Sequence, residues 1–273
     1  MTPDAEEEHN PMLLQDKVVV VTGVGPGLGR SLCRAAAAEG ATVVPVARTT
    51  PVIDDVVAEI RSAGGTAVAV AGDVTVRADC ERIAATVEHD LGRLDGIVNS
   101  AFSVGALGAF PDIDLDDWRR AFEVNLFGAL GLLQCLLPLL ERDGGGAVVS
   151  VNTMSSVGPM KGQGAYGASK TALEFAMRQL AVDLGGRGIR CNTVYCGPMR
   201  GPNLDDAMEK WAQRRGVTYE EIVDAVTAVI AQGDIPTDAD VAPAVLLLLS
   251  DAARVVNGTS FHATGGAWVE HRV

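Results

Sequence analysis

Two short clusters in this 273-residue chain carry side chains able to do chemistry. The first is Tyr166-Gly167-Ala168-Ser169-Lys170. A tyrosine and a lysine four apart at the start of a helix lie on one face. A free phenol ionises near pH ~10 and is a poor acid–base group at neutral pH. A nearby ammonium favours the phenolate and lowers that value. A tyrosine so poised can pass a proton to or from a carbonyl or alcohol oxygen. The plainer account is a half-buried tyrosine beside a surface lysine. Lysine is scarce here, however, standing only at 17, 161, 170 and 210. The second cluster is Thr22-Gly23-Val24-Gly25-Pro26-Gly27-Leu28-Gly29. Its glycines allow a tight turn and let the backbone approach a pyrophosphate at a helix N-terminus. The same glycines could serve as an ordinary strand-to-helix turn.

The flanking pattern decides between these accounts. Lys17–Thr22 is a β-branched run that feeds the glycines, and Gly29–Gly40 reads as a helix closed by a glycine. Further strands are expected at Thr42–Val46, Ala67–Ala71, Gly96–Asn99, Ala147–Val151, Arg190–Tyr195 and Thr259–Ala263. Helices are expected at Ile53–Ala63, Ala78–Leu91, Asp114–Leu140, Tyr166–Leu184 and Pro243–Leu249. Pro45 sits awkwardly in its strand, because proline cannot donate to a sheet ladder. Strands alternating with helices imply right-handed βαβ units and a parallel sheet. Continuous apolar strands imply a sheet covered on both faces. The expected fold class is therefore α/β, a single-domain doubly wound parallel sheet, Rossmann-like, with helices on both faces. Ligands of such sheets sit at the carboxyl ends of the strands, where both clusters fall. Residues 1–12 read as a flexible acidic tail and 13–273 as the domain.

The spacing Gly23, Gly27, Gly29 is G-x-x-x-G-x-G. Together with Tyr166-x-x-x-Lys170, it resembles the short-chain dehydrogenase/reductase family, in its short single-domain branch, over residues 16–270. The resemblance implies Tyr166 as proton donor and acceptor. It implies Lys170 as the group that binds the nicotinamide ribose and tunes the tyrosine. The family places a Ser or Thr thirteen residues before the tyrosine, which gives Thr153, with Ser155 and Ser156 as rivals. Asn125, in an apolar helix, would distort that helix and hold a water in a proton relay. The cofactor-binding set implied is Gly23, Gly27, Leu28, Gly29, Arg48, Asp73, Val74, Asn99, Ala101, Tyr166, Lys170, Pro198 and Met199. Three positions depart from the family pattern: Phe102 replaces a glycine, Cys196 a proline and Gly201 a threonine.

Cofactor choice follows from the end of the second strand. NAD users carry an acid there to bind the ribose diol. This chain has Ala47 followed by Arg48, which leaves room and a counter-charge for a 2′-phosphate. NADP(H) is therefore the favoured cofactor, with NAD(H) possible. Residues 199–235 form a longer, more polar connection, the expected substrate lid. Arg200, Met208, Trp211 and Tyr219 there either line a pocket or pack the lid itself. Ala106, Leu107 and Phe110 would add an apolar wall, suiting an apolar ketone or secondary alcohol.

Composition sets the remaining limits. Hydrophobic residues at 48% and charged residues at 21% describe a globular chain, and aromatics at 4% describe an aliphatic core. A net charge of −13 argues against nucleic acid as a partner. The same acidity weighs lightly against docking to an acidic acyl carrier. Five cysteines without C-x-x-C suggest reduced, buried thiols and a cytoplasmic protein. The four scattered histidines suggest no metal site. No apolar run reaches the ~18–20 residues of a membrane span. The resemblance implies a homodimer or homotetramer. Two rivals were weighed: a catalytically silent dinucleotide-sensing or scaffolding protein on the same fold, and a sugar-nucleotide epimerase or dehydratase. The latter's glycine spacing and extra domain are not seen.

Overall fold

A computed structural model describes residues 12–267. The expected acidic tail up to residue 11, and the chain beyond 267, lie outside the described residues. The strands are β1 (Val18–Thr22), β2 (Thr42–Ala47), β3 (Thr66–Ala67), β4 (Val70–Ala71), β5 (Gly96–Asn99), β6 (Gly146–Thr153), β7 (Ile189–Cys196) and β8 (Ser260–Ala263). They form one parallel sheet in the order β3-β2-β1-β5-β6-β7-β8, with β4 also beside β2. The order reverses between β1 and β5, and the crevice of a doubly wound sheet opens there.

Helices cover both faces. One layer holds α1 (Leu28–Ala38), α2 (Thr50–Ser62) and α9 (Asp238–Leu249) around Leu32, Ile53 and Val245. The other holds α3 (Arg77–Leu91), α5 (Ala129–Arg142) and α6 (Gly164–Gly185) around Ile83, Leu136 and Leu173. With so few aromatics, these cores are built from Val, Leu, Ile and Ala. The stretch Leu115–Arg142 is long and apolar enough to cross a membrane by length and composition, at mean hydropathy 1.6, contrary to the reading of uninterrupted runs alone. Its Leu132, Leu136 and Leu140 are fully buried against the sheet layer instead.

Pro45 is accommodated by a break in the outer strand. Val43 and Ala47 turn their carbonyls outward, to Val68 N–H at 2.9 Å and Gly72 N–H at 2.8 Å. Pro45 lies between them on the same side, where a donor is missing. Register pairs Val43 with Ala67 and Val46 with Val70, so Pro45 faces the gap between β3 and β4. The single strand expected at 67–71 is therefore two short ones.

The lid segment contains α7 (Pro202–Arg215) and α8 (Tyr219–Thr227). A capping box of Thr218 and Glu221 starts α8, and one of Thr237 and Asp240 starts α9. The second cap carries α9 five residues upstream of the expected Pro243 start, so Pro243 lies inside the helix. The lid packs on itself through Met208, Ala212, Ile222, Ile230 and Ile235.

Candidate active site

The catalytic candidates meet at the carboxyl end of β6. Thr153 ends that strand, and Tyr166 and Lys170 stand on the first turns of α6 beside it. Close packing brings the helix in: a Cβ on Gly167 would stand 2.5 Å from the Ser155 carbonyl oxygen. The Thr153 hydroxyl accepts from the Ser155 N–H at 3.3 Å and lies close enough to the Tyr166 phenol to lower its pKa. Ser155 is buried, and its hydroxyl donates to Gln163 Oε1 at 2.5 Å. Ser156 donates to Asn152 Oδ1 at 3.1 Å and to the Thr153 carbonyl at 2.6 Å. Of the three hydroxyls, Thr153 is the one whose effect reaches the phenol.

Lys170 is buried, and its ammonium donates to the Val151 carbonyl at 2.7 Å. Burial lowers its pKa from 10.5 to about 8. The Tyr166 phenol is pushed the other way, up to about 12: burial raises it, the Thr153 hydrogen bond lowers it, and the Cys196 thiol raises it. The Lys170 ammonium is not among these causes. The lysine is turned to a backbone carbonyl, and a neutral phenol suits a proton donor at neutral pH.

Asn125 lies in a π-helical turn, Glu123–Gly128, between α4 (Leu115–Phe122) and α5. Its Oδ1 accepts from Ser103 N–H at 2.7 Å, while its Nδ2 donates to the Ser103 carbonyl and to Ser169 Oγ, each at 2.8 Å. Ser169 in turn donates to the Tyr166 carbonyl at 2.9 Å. One amide thereby ties the loop after β5 to the catalytic helix. Asn152 adds a second tie, donating to the Lys170 carbonyl at 3.0 Å. Neither Asn152 nor Ser169 was singled out from sequence. The signal was there in both: a polar residue in an apolar strand, and a serine on the buried side of the Tyr/Lys turn.

Of the dinucleotide candidates, Gly23, Arg48, Asp73, Val74 and Ala101 line one cavity beside the glycine turn, whereas Gly27, Leu28, Gly29, Asn99, Pro198 and Met199 are not in its lining. Gly23 has φ 69°, and a Cβ there would stand 2.4 Å from the Ala101 backbone; one on Gly29 would stand 2.5 Å from the Gly23 carbonyl. These two glycines close the turn on itself. Gly25 faces open space, and Leu28 begins α1 in the core. Thr22 Oγ1 accepts from Ser100 and Ala101 N–H at 3.2 and 3.3 Å, fixing the two strand ends. A cavity of about 440 Å³ is lined by Gly25, Arg48, Asp73, Val74, Ala101 and Phe102, among others. Arg48 is exposed, and Asp73 Oδ1 accepts from Thr75 N–H at 2.9 Å. Asn99 is buried with its Oδ1 unpartnered among the described residues. Pro198 and Met199 are half-buried after β7. An open, glycine-lined cradle at a helix N-terminus beside a lone arginine fits a phosphate-bearing dinucleotide. A larger cavity, about 680 Å³, lies elsewhere, between α1 and α2, and holds none of these groups.

The lid residues divide. Met208 is fully buried in the lid's own core, and the half-buried Tyr219 donates to Asp205 at 3.2 Å. Both pack the lid. Phe102, 54% exposed, tilts over the Tyr166 ring with centroids 6.3 Å apart.

Comparisons with known proteins agree with this geometry. Residues 23–267 match a family model described as enoyl-(acyl carrier protein) reductase. The chain is 31% identical to 7alpha-hydroxysteroid dehydrogenase of Escherichia coli K12, over 93% of this chain and 94% of that protein. It is 32% identical to L-rhamnose 1-dehydrogenase (NAD(P)(+)) of Sphingomonas sp. SKA58, over 94% and 98%. A solved structure of a putative short-chain dehydrogenase/reductase from Burkholderia xenovorans superposes with TM-score 0.86 at 32% identity, over 93% and 97%. The glycine turn, the Tyr/Lys helix and these likenesses together place the chain in the short-chain dehydrogenase/reductase family of NAD(P)-binding oxidoreductases.

Proposed function

We propose that this enzyme interconverts a ketone and a secondary alcohol, with NADP(H) preferred. The observation that carries the reading is the meeting of Thr153, Tyr166 and the Lys170 turn opposite the glycine cradle. The dinucleotide, when bound, supplies or accepts the hydride. This chain's own residues handle the oxygen. Tyr166, a neutral phenol at physiological pH, gives its proton to the substrate oxygen as the carbonyl is reduced. The Thr153 hydroxyl donates a second hydrogen bond to the same oxygen. Asn125 holds the tyrosine's helix through Ser169, and Lys170 supplies the charge of the path that returns its proton. Gly23, Gly27, Leu28, Gly29, Asp73, Val74, Asn99, Ala101, Pro198 and Met199 form the wall that holds the dinucleotide.

The preference for NADP(H) is supported by Arg48, exposed in the cavity with neutral Ala47 before it. An apolar substrate is supported by Phe102, Leu107 and Met160, which are 54%, 65% and 43% exposed. Residues 199–235 form the lid, and the substrate enters beneath it. Self-association through α5 and α6 is supported by exposed Phe127, Phe175 and Val182, and a cytoplasmic setting by five free cysteines. A panel of ketones and secondary alcohols, each with NADPH, NADH, NADP⁺ and NAD⁺, followed by nicotinamide absorbance, tests the reading. Turnover of a carbonyl or carbinol substrate, faster with the phosphorylated cofactor, is the expected result. Turnover with NAD(H) alone would overturn the cofactor preference, and silence across the panel despite measured binding would favour the sensing protein.

A further inference from the structure

Asp238 opens α9, and its carboxylate lies against the glycine turn. A Cβ built on Gly27 would stand 3.5 Å from Asp238 Oδ2, and one on Gly201, in the loop after β7, 3.4 Å from the same oxygen. The other polar group beside Gly27 is Asn203 Nδ2 of α7, at 3.9 Å. Asp238 has no hydrogen-bond or ion-pair partner among the described residues, and burial raises its pKa.

The charged neighbours leave it uncompensated. On α1, which packs against α9, Arg30 is held by Glu59 of α2, and Arg34 exerts no pull. β6 carries no charged side chain. Arg190 of β7 donates to the Leu248 and Ser250 carbonyls at the far end of α9. Arg200 forms no ion pair with Asp238 among the described residues, and Asp205 of α7 accepts from the Tyr219 hydroxyl at 3.2 Å. Asp240 is held by Thr237, and Asp251 by Lys17. Asp238 in turn helps to raise the buried Cys196 thiol.

The glycine turn is where the reading above seats the diphosphate, and this inference rests on that reading. A diphosphate beside Gly27 and an ionised carboxylate at this spacing repel each other. Gly27 leaves room for the ligand but nothing to neutralise the acid. We propose that Asp238 sets the dinucleotide affinity of this enzyme by taking up a proton when the diphosphate docks beside Gly27, so that binding weakens as the pH rises. The sign follows from linkage. Binding raises the carboxyl pKa above its free value. Below the free value the group is already neutral and affinity is flat. Between the free and bound values Kd rises by up to ~tenfold per pH unit.

Calorimetric titration with NADH tests this, since NADH lacks the titrating 2′-phosphate. Wild type, Asp238→Asn and Asp238→Ser are titrated from about pH 5.5 to about pH 8.5 in two buffers of different ionisation heat, with thermal unfolding to confirm that each variant is folded. For wild type the expected result is a Kd that rises ~tenfold or more over that range, with net proton uptake. For both variants the Kd is expected to be flat, and at least ~tenfold tighter at the alkaline end. A flat wild type, variants that keep the wild-type slope, or variants that bind more weakly would overturn the proposal. Should no form bind NADH or NADPH at any pH, the dinucleotide reading itself falls and takes this inference with it.

Discussion

The two walls of the cleft are built in opposite ways. On the catalytic wall every polar group is committed: Asn125 makes three hydrogen bonds, Asn152 and Ser169 tie the helix, and Lys170 is sealed against Val151. On the dinucleotide wall the decisive groups are loose. Arg48 is exposed, Gly25 faces open space and Asp238 is unpaired among the described residues. Groups that move a proton must hold a fixed distance, so the core fixes them. Groups that select a ligand can be exchanged without disturbing the sheet. The same division explains how a hydroxysteroid enzyme and a sugar enzyme can both resemble one chain at about a third identity.

The sharpest way to break this contrast is Lys170→Met. Turnover should fall ~100-fold or more, because the proton path loses its charge. Stability should move the other way. The folded pKa of about 8 lies below the ordinary 10.5, so the buried ammonium costs the fold most below pH 8. That cost fades as pH rises from 8 to 10.5, where the unfolded chain holds the extra proton. Urea unfolding should find the variant more stable at neutral pH by about 2 kcal/mol, net of the lost hydrogen bond, with the gap closing near pH 10. A charge-free lysine position that destabilised the protein equally at both pH values would contradict this.

Next in size is Asn125→Ala. Loss of its three hydrogen bonds, in a buried place, should lower unfolding free energy by about 2–3 kcal/mol and turnover by ~tenfold. On the loose wall, Arg48→Glu should raise the KM for NADP(H) ~tenfold, leave that for NAD(H) unchanged or lower, and not alter the melting temperature. The smallest expected effect belongs to Phe102→Gly. It should change KM across a substrate panel by a few-fold to ~tenfold with little change in kcat for the best substrate, since the ring leans on Tyr166 without bonding to it.

Much of both walls could be read from sequence, where spacing fixes it. Gly23 and Gly29 touch backbone at distances no side chain tolerates, and Tyr166 and Lys170 share a helix face through local geometry alone. The strand and helix order was equally legible from apolar periodicity. What escaped was set by partners distant in sequence. Pro45 is harmless only because a strand twenty residues on breaks opposite it. The pKa order of Tyr166 and Lys170 depends on burial and on Val151 as acceptor, not on their separation. Asp238 meets Gly27 across more than two hundred residues. The caps at Thr218 and Thr237 were local and readable, and show that the polar lid hid its helices behind composition.

The central claim is that the Tyr166 hydroxyl moves the proton. Tyr166→Phe removes that one oxygen and leaves the ring packed under Phe102. With a substrate identified from the panel, turnover and NADPH binding are measured on the same folded sample. The account predicts a dinucleotide Kd within ~twofold of wild type and a loss of turnover of ~1,000-fold or more. Retained turnover with unchanged binding would contradict it.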